Sequence, residues 1–469
     1  MKKSTFGVLV TTRGIFNPAL ARQGRYDLLA KLEKQGYKAL VLPEDATPSG
    51  AIETREDAAK CAKFFQDHRG EIDGVIVCLP NFSDEIGVIV TLELAELNVP
   101  VLVQACDDDM DKLGVDGRRD AFCGKLSVCN NLYQYGIRFT NTTFHTCPIE
   151  SEDFTRDLDY FDRLCRVVRG LRHAKIAQIG TRPTAFQTVR YSEKLLQKAG
   201  ITVIPVDLSE IIGAADKLAG SATVQAKIDA IKAYGNIPNE IAAEKIERSA
   251  RMAAAVDWWM QENECVAGAM QCWNSIEQNF GCAACLPMSM LSERLIPMAC
   301  ETDITGAVSM YALCLAAGQP SGYLDWNNNW YRQPNKCINT HCSAYPKSFI
   351  GQEIEISPLD VLGKSLGREN CFGGIKGHLV AGPMSFAKVS TDDGRGMVKA
   401  YVGEGKFTGE VTGLQGGIAV CEVENLQRLL DYMCQNGYEH HVAMNRSLVA
   451  DVLAEAFSKY LGWEVYRHR

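Results

Sequence analysis

Three places in this 469-residue chain carry side chains suited to a divalent cation: Glu277 in QCWNSIEQNFG, Asp303 in ACETDITGA and the doublet His440-His441 in GYEHHVAMN. Two carboxylates and an imidazole form a borderline-hard ligand set. Such a set suits Mn²⁺, with coordination positions left open for substrate oxygens. Asp303 lies in a stretch, MACETDITGAV, that otherwise reads as buried. A buried acid needs a partner or a metal. Glu301, two residues earlier, competes with Asp303 for that role. Adjacent histidines point to different sides of a regular element, so at most one of the doublet would ligate. If these groups converge, they imply metal-assisted sugar chemistry rather than ligand binding alone.

The elements that must position them follow from hydrophobic periodicity. FGVLVTT (6–12), KALVLP (38–43), DGVIVCLP (73–80) and VPVLVQA (99–105) read as strands, separated by helical patterns near 23–36, 53–68 and 84–97. Continuous apolar strands between helices indicate a parallel sheet covered on both faces. The pattern restarts with KIAQIG (175–180), a helix over 185–199, ITVIPVD (201–207), helices near 222–233 and 239–262, and CVAGAMQCW (265–273). Ligand crevices form at the carboxyl ends of such strands, which puts Gln271, Cys272 and Trp273 at an edge just before Glu277. ITGAVSMYALCLAAG (304–318) reads as a buried helix ended by Gly318. Residues 346–420 carry Gly, Val and Thr with turn signals such as TDDGRG, which predicts antiparallel strands. The expected fold is α/β: two doubly wound α/β domains, 1–168 and 169–340, followed by a β-rich C-terminal domain, 341–469. Glu277 and Asp303 fall in the second and His441 in the third.

Polar loops add candidate substrate contacts. Asp325-Trp326-Asn327-Asn328-Asn329 sets amides and a carboxylate beside an indole, a mixture that bonds sugar hydroxyls and covers C–H faces. His341 precedes a turn, and Arg13 stands just past the first strand, where a ligand-facing loop belongs. A net charge of −8, with no Lys/Arg-rich run, argues against a nucleic-acid partner. No stretch approaches the ~20 apolar residues of a membrane span, and FGVLVTT is too short for an export signal, so a cytoplasmic location is expected. The 18 cysteines are scattered and read as reduced core residues, and Cys282-Ala-Ala-Cys285 is the one CxxC.

The segments QCWNSIEQNFG, CLPMSMLSERLIPMACETDITGAVSMYAL, YLDWNNNW, KAYVGEGKFTGE and GYEHHVAMN resemble the L-fucose/L-arabinose isomerase superfamily, in its fucose isomerase-like branch. TTRGIFN and GTRPTAFQTVRYSE also resemble family loops. The resemblance implies Mn²⁺ held by Glu277, Asp303 and His441, aldose–ketose interconversion through a cis-enediol, and a homo-oligomer, with a hexamer favoured. It further implies that Arg13 serves a neighbouring subunit's active site. Catalytic roles are expected for Glu277 and Asp303, and substrate contacts for Arg13, Gln271, Trp273, Trp326, Asn327 and His341. The loops around Trp273 and Trp326 copy neither named enzyme, so the expected substrate widens to deoxy or sulfonated hexoses such as sulfoquinovose. A non-catalytic sugar-binding protein and a metal-dependent aldolase or dehydratase are the alternatives.

Overall fold

The computed structural model describes every residue except 343, 352 and 415, and the chain divides into two compact units, Met1–Arg169 and Gly170–Arg469. In the first, β1 (Thr5–Val10), β2 (Lys38–Val41), β3 (Gly74–Leu79), β4 (Val101–Ala105) and β5 (Thr140–Asn141) form one parallel sheet in the order β2-β1-β3-β4-β5. β1, β3 and β4 are buried along their whole length, which is why they read as unbroken apolar runs.

The second unit opens with a smaller parallel sheet: β6 (Lys175–Ile179), β7 (Thr202–Val206), β8 (Ala267–Met270) and β9 (Met298–Ala299), in the order β7-β6-β8-β9. The helix expected over 185–199 is reduced to Glu193–Lys198. Pro183 and the polar run before it instead form a loop that carries Phe186.

A nine-stranded sheet follows: β10 (Ser321–Asn329), β11 (Lys336–His341), β12 (Glu355–Pro358), β13 (Phe372–His378), β14 (Gly382–Asp392), β15 (Met397–Phe407), β16 (Gly417–Glu422), β17 (His441–Asn445) and β18 (Glu464–Arg467). Its first strand begins at Ser321, ahead of residue 341, because β10 pairs with β17 and β11 with β16. The stretch Asp325–Asn329, read from its polarity as a loop, is the end of β10, with a bulge between Trp326 and Asn328. Exposure of one strand end explains the polar composition. β15 also pairs with β16, through Lys406↔Glu422 and Phe407↔Cys421. The ring β16-β11-β10-β17-β14-β15 therefore closes on itself as a six-stranded antiparallel barrel, which removes the edges those strands would otherwise expose.

One helix ties the two sheets of this unit together. Ile304–Ala317 is apolar on every side and buried over almost its whole length, and it packs against β6, β8 and β9 on one side and β10, β14 and β17 on the other. Its N-terminus is therefore held where the small sheet and the barrel meet.

Gly417 fixes one strand of that junction. It pairs with His341, its carbonyl accepts the Tyr345 hydroxyl at 2.8 Å, and a Cβ there would lie 1.7 Å from the Tyr345 ring. Gly417→Ala is expected to cost about 1–3 kcal/mol through overpacking, read as a lower midpoint in urea unfolding at unchanged slope. Wild-type stability would show that the ring moves aside freely.

Candidate active site

Glu301, Thr302 and Asp303 follow β9 after a single residue, Cys300. Glu301 and Thr302 have φ of +52° and +58°, and Thr302 N–H donates to the Met270 carbonyl at 3.3 Å. Two successive non-glycine residues in the left-handed region, one of them β-branched, are strained, and such strain persists only where the surroundings enforce it. Here the twist turns Glu301 and Asp303 to separate tasks.

Asp303 is the N-cap of the helix Ile304–Ala317. Its Oδ1 accepts Gly306 N–H at 2.7 Å and the Thr305 hydroxyl at 2.9 Å. Its Oδ2 accepts the Tyr323 hydroxyl and the Lys388 ammonium, the latter at 2.7 Å, and lies 3.1 Å from His441 Nδ1. Oδ1 thus caps the helix, and Oδ2 is the oxygen turned toward His441. Burial disfavours its charge, but Lys388 and His441 outweigh that and hold Asp303 well below the usual carboxylate range.

Glu301 faces the imidazoles instead. Its Oε2 lies 3.2 Å from His441 Nε2 and 3.3 Å from His341 Nε2, without the alignment of a hydrogen bond. Asp325 Oδ1, from the strand residue paired with His441, stands 3.5 Å from His441 Nε2 and 3.9 Å from His341 Nε2, and it too lacks a hydrogen-bond partner. The ligating atoms of Glu301, His341 and His441 lie within 4.8 Å of one another, as do those of Asp325, His440 and His441. Burial opposes the charge on Glu301, but the two histidines pull it well below the carboxylate range. Burial also opposes protonation of His441, but its contacts with Asp303 and Glu301 raise it to about 9. His341 is raised in the same way against its burial, mainly by Glu301 and Asp325. His440 is half-exposed and lowered by burial and by its neighbour.

Glu277 sits in the short helix Ser275–Asn279 after β8, is 1% exposed, and has no hydrogen-bond partner on either carboxylate oxygen. Burial alone pushes it up to about 7. It stands outside the group of mutually close ligand atoms, but the Cys272 and Cys285 thiols feel the charge of both Glu277 and Glu301, which places the two acids in one neighbourhood.

The other expected positions divide. His341 joins the group. Trp273 borders it through Phe186, whose ring lies 5.2 Å from Trp273 and 5.6 Å from His441. Gln271 bridges loops, accepting Thr181 N–H at 2.9 Å and donating to the Trp273 carbonyl at 3.2 Å. Trp326 Nε1–H donates to the Tyr401 hydroxyl at 3.0 Å and its ring packs on Phe386, so it belongs to the barrel core, while Asn327 is exposed at the bulge. In the first unit, Arg13 pairs with Glu85 and lies over the Phe82 ring. Among the described cysteines none is bonded, and Cys282 and Cys285 are both buried. Lys388 and Tyr323 were not singled out from the sequence. The available signal was a lysine in the middle of MSFAKVS, an otherwise apolar strand centre.

Two buried carboxylate oxygens without a hydrogen bond, Oε2 of Glu301 and Oδ1 of Asp325, stand beside two imidazole Nε2 atoms, and both oxygens of buried Glu277 are likewise without a hydrogen-bond partner. Unpaired oxygens at such depth are costly, and a divalent cation satisfies them. The donor set of carboxylate oxygen and imidazole fits Mn²⁺ or a similar ion.

Comparison with known proteins agrees with this architecture. The family "Fucose/sulfoquinovose isomerase, N-terminal domain" matches residues 7–172, and "L-fucose isomerase, C-terminal domain" matches residues 339–469. A sulfoquinovose isomerase of Priestia aryabhattai is 27% identical over 62% of this chain, and the match spans 64% of that protein's length. A sulfoquinovose isomerase of Alkalicoccus urumqiensis is 24% identical over 84% of this chain and 85% of its own. A solved ABC-transporter solute-binding protein of Mycobacterium smegmatis, with bound glycerol, covers 68% of this chain and 90% of its own at 12% identity. Its TM-score of 0.17 carries no argument. With the two domain families matched at both ends, the chain belongs to the fucose isomerase-like family.

Proposed function

We propose that this chain is a metal-dependent aldose–ketose isomerase acting on an open-chain sugar. The observation that carries the reading is the convergence of Glu301, His341, His441 and Asp325 in one buried place, with Glu277 close by and poised near neutrality. Glu301, His341 and His441 would hold the ion, Mn²⁺ by the chemistry of the donors. When bound, a divalent ion supplies Lewis-acid stabilisation of the charge that develops on adjacent sugar oxygens. Glu277 takes the C2 proton and delivers it to C1, while the O2 hydroxyl proton passes to O1, so that the C1 carbonyl becomes a hydroxyl and C2 a ketone by way of a cis-enediol. A carboxyl near 7 is balanced between accepting and giving a proton at neutral pH. Asp325 accepts a substrate hydroxyl, and Phe186 with Trp273 keeps water from the reacting carbons.

The names of the relatives support a sulfonated hexose such as sulfoquinovose as the substrate. Hexameric assembly, a cytoplasmic location, and Arg13 serving the site of a neighbouring copy belong to the same proposal. No helix among the described residues is long and apolar enough to cross a membrane. The test is incubation of the Mn²⁺-loaded protein with sulfoquinovose, L-fucose and other aldoses, with products read by NMR and mass. A ketose of unchanged mass is expected. Cleavage or loss of water would mark an aldolase or dehydratase instead.

The histidines give this reading a pH dependence. His441 without metal titrates at about 9, so at neutral pH a cation on Nε2 must displace a proton. Affinity should therefore rise with pH, about tenfold per unit for each proton released, and level off above the His441 value. Calorimetric titrations in buffers of different ionisation heat count the released protons, and a count of zero would contradict the ligand assignment.

A further inference from the structure

The second unit holds another cavity, which the chemistry proposed above does not use. It measures about 1000 Å³, within the range of small-molecule sites, and none of Glu277, Glu301, Asp325, His341 or His441 lines it. Thr302 does, so the cavity and the candidate active site share the turn that carries Glu301 and Asp303. One side is the loop after β6, with Arg182 and Arg190. The other is the end of β14, with Ser390 and Asp393, and Glu439 just ahead of β17. Ser192 N–H donates to Thr391 Oγ1 at 2.9 Å and ties the two sides together.

The polar groups of the two sides differ in kind. Among the described residues, neither Arg182 nor Arg190 forms an ion pair. Arg182 Nη1 donates to the Pro183 and Thr184 carbonyls at 3.3 Å, and Arg190 Nε donates to the Gln187 carbonyl at 3.0 Å. The remaining N–H groups of both guanidinium forks are left for an anionic oxygen. Lys399 is spent instead on Asp392 at 3.0 Å and on the Asn436 carbonyl at 2.6 Å. On the barrel side, Glu439 is 7% exposed; its Oε1 accepts the Ser390 hydroxyl at 2.8 Å and its Oε2 has no partner. Thr302 is 3% exposed and its Oγ1 is also without a partner. Unpaired polar atoms at that depth are costly, and ligand hydroxyls satisfy them. Glu193 and Asp393 line the cavity too and are exposed. Acids so close to the arginines disfavour a polyanion and suit a ligand with one anionic group and several hydroxyls. We propose that this cavity is a second binding site, for a monosaccharide bearing a single sulfonate or phosphate group. Arg182 and Arg190 take the anionic oxygens, and Thr302, Ser390 and Glu439 bond the hydroxyls.

Binding here needs no metal, so chelator-stripped protein separates this site from the proposed reaction. Glucose 6-phosphate, sulfoquinovose and glucose are titrated by calorimetry into stripped wild type, Arg182→Gln and Arg190→Gln, and amide hydrogen exchange maps where each ligand protects the chain. Wild type is expected to bind an anionic sugar with protection of 181–192, 388–393 and 436–439, and to bind glucose about 10–100-fold more weakly. Each arginine variant should weaken the anionic sugars by about 10–100-fold and leave glucose unchanged. Arg190 is exposed, so Arg190→Gln keeps the test open should Arg182→Gln fail to fold. Tighter binding of glucose 6-phosphate assigns a phosphorylated ligand and tighter binding of sulfoquinovose a sulfonated one; either order supports the site. Three results would overturn it: no binding of either anionic sugar, equal affinity in wild type and Arg190→Gln, or protection only around 273–280 and 339–341. Isomerase activity without this binding removes the second site alone, and binding without activity removes the proposed reaction alone.

Discussion

Glu277→Gln will lower kcat by about 10²–10⁴-fold while leaving Mn²⁺ affinity close to wild type. Glutamine keeps the shape of the side chain in a pocket where Glu277 is 1% exposed, so the fold should not report the change. What disappears is a buried carboxyl with no hydrogen-bond partner, which burial pushes up to about 7 and so poises between its two states. As a base it must be ionised, so the rate should rise with pH through about 7 and then level off. The matching readout is solvent deuterium at C2 of recovered aldose, which Glu277→Gln should lose. Retained exchange would move the proton transfer to another group.

Glu301→Gln should act on the other half of the chemistry. The two imidazoles at 3.2 and 3.3 Å lose the nearer of their two shared carboxylate neighbours, and a cation placed there loses its fully buried ionised ligand. Removing one partner of a buried charge pair costs about 3–5 kcal/mol, which is on the order of 10²–10³-fold or more in affinity. Glutamine tolerates the left-handed backbone at 301 about as well as glutamate does, so unfolding midpoints should stay near wild type while Mn²⁺ titrations do not. This variant also distinguishes the two acids of ETD. If Glu301→Gln binds Mn²⁺ like wild type, Asp303 must break its contacts with Lys388 and Tyr323 to ligate.

The parallel strands of the first unit were legible because burial on both faces leaves an unbroken apolar signature, as in GVIVCL and VLVQA. The helix Ile304–Ala317 was legible for the same reason. The barrel's closure was not. It depends on pairing between β15 and β16, which no local pattern encodes. Within the site, GYEHHVAMN and ACETDITGA marked the right neighbourhood, but which acid meets which nitrogen of His441 depends on two left-handed residues, 301 and 302, that carry no glycine to announce the turn. Lys388 escaped notice because a lysine in a strand ordinarily signals a solvent-facing position. Only the three-dimensional proximity of β14, β17 and the Asp303 helix cap reveals that it is fully buried.

The central claim is that a metal held by Glu301, His341 and His441 enables exchange of the sugar C2 proton through Glu277. The most direct measurement is NMR of an aldose substrate in D₂O with protein stripped by chelator, then with Mn²⁺ restored. The account expects no deuterium at C2 and no ketose in the stripped sample, and both on restoring the metal. Exchange that persists at full rate in the metal-free protein, or that fails for every aldose after Mn²⁺ is restored, would contradict it.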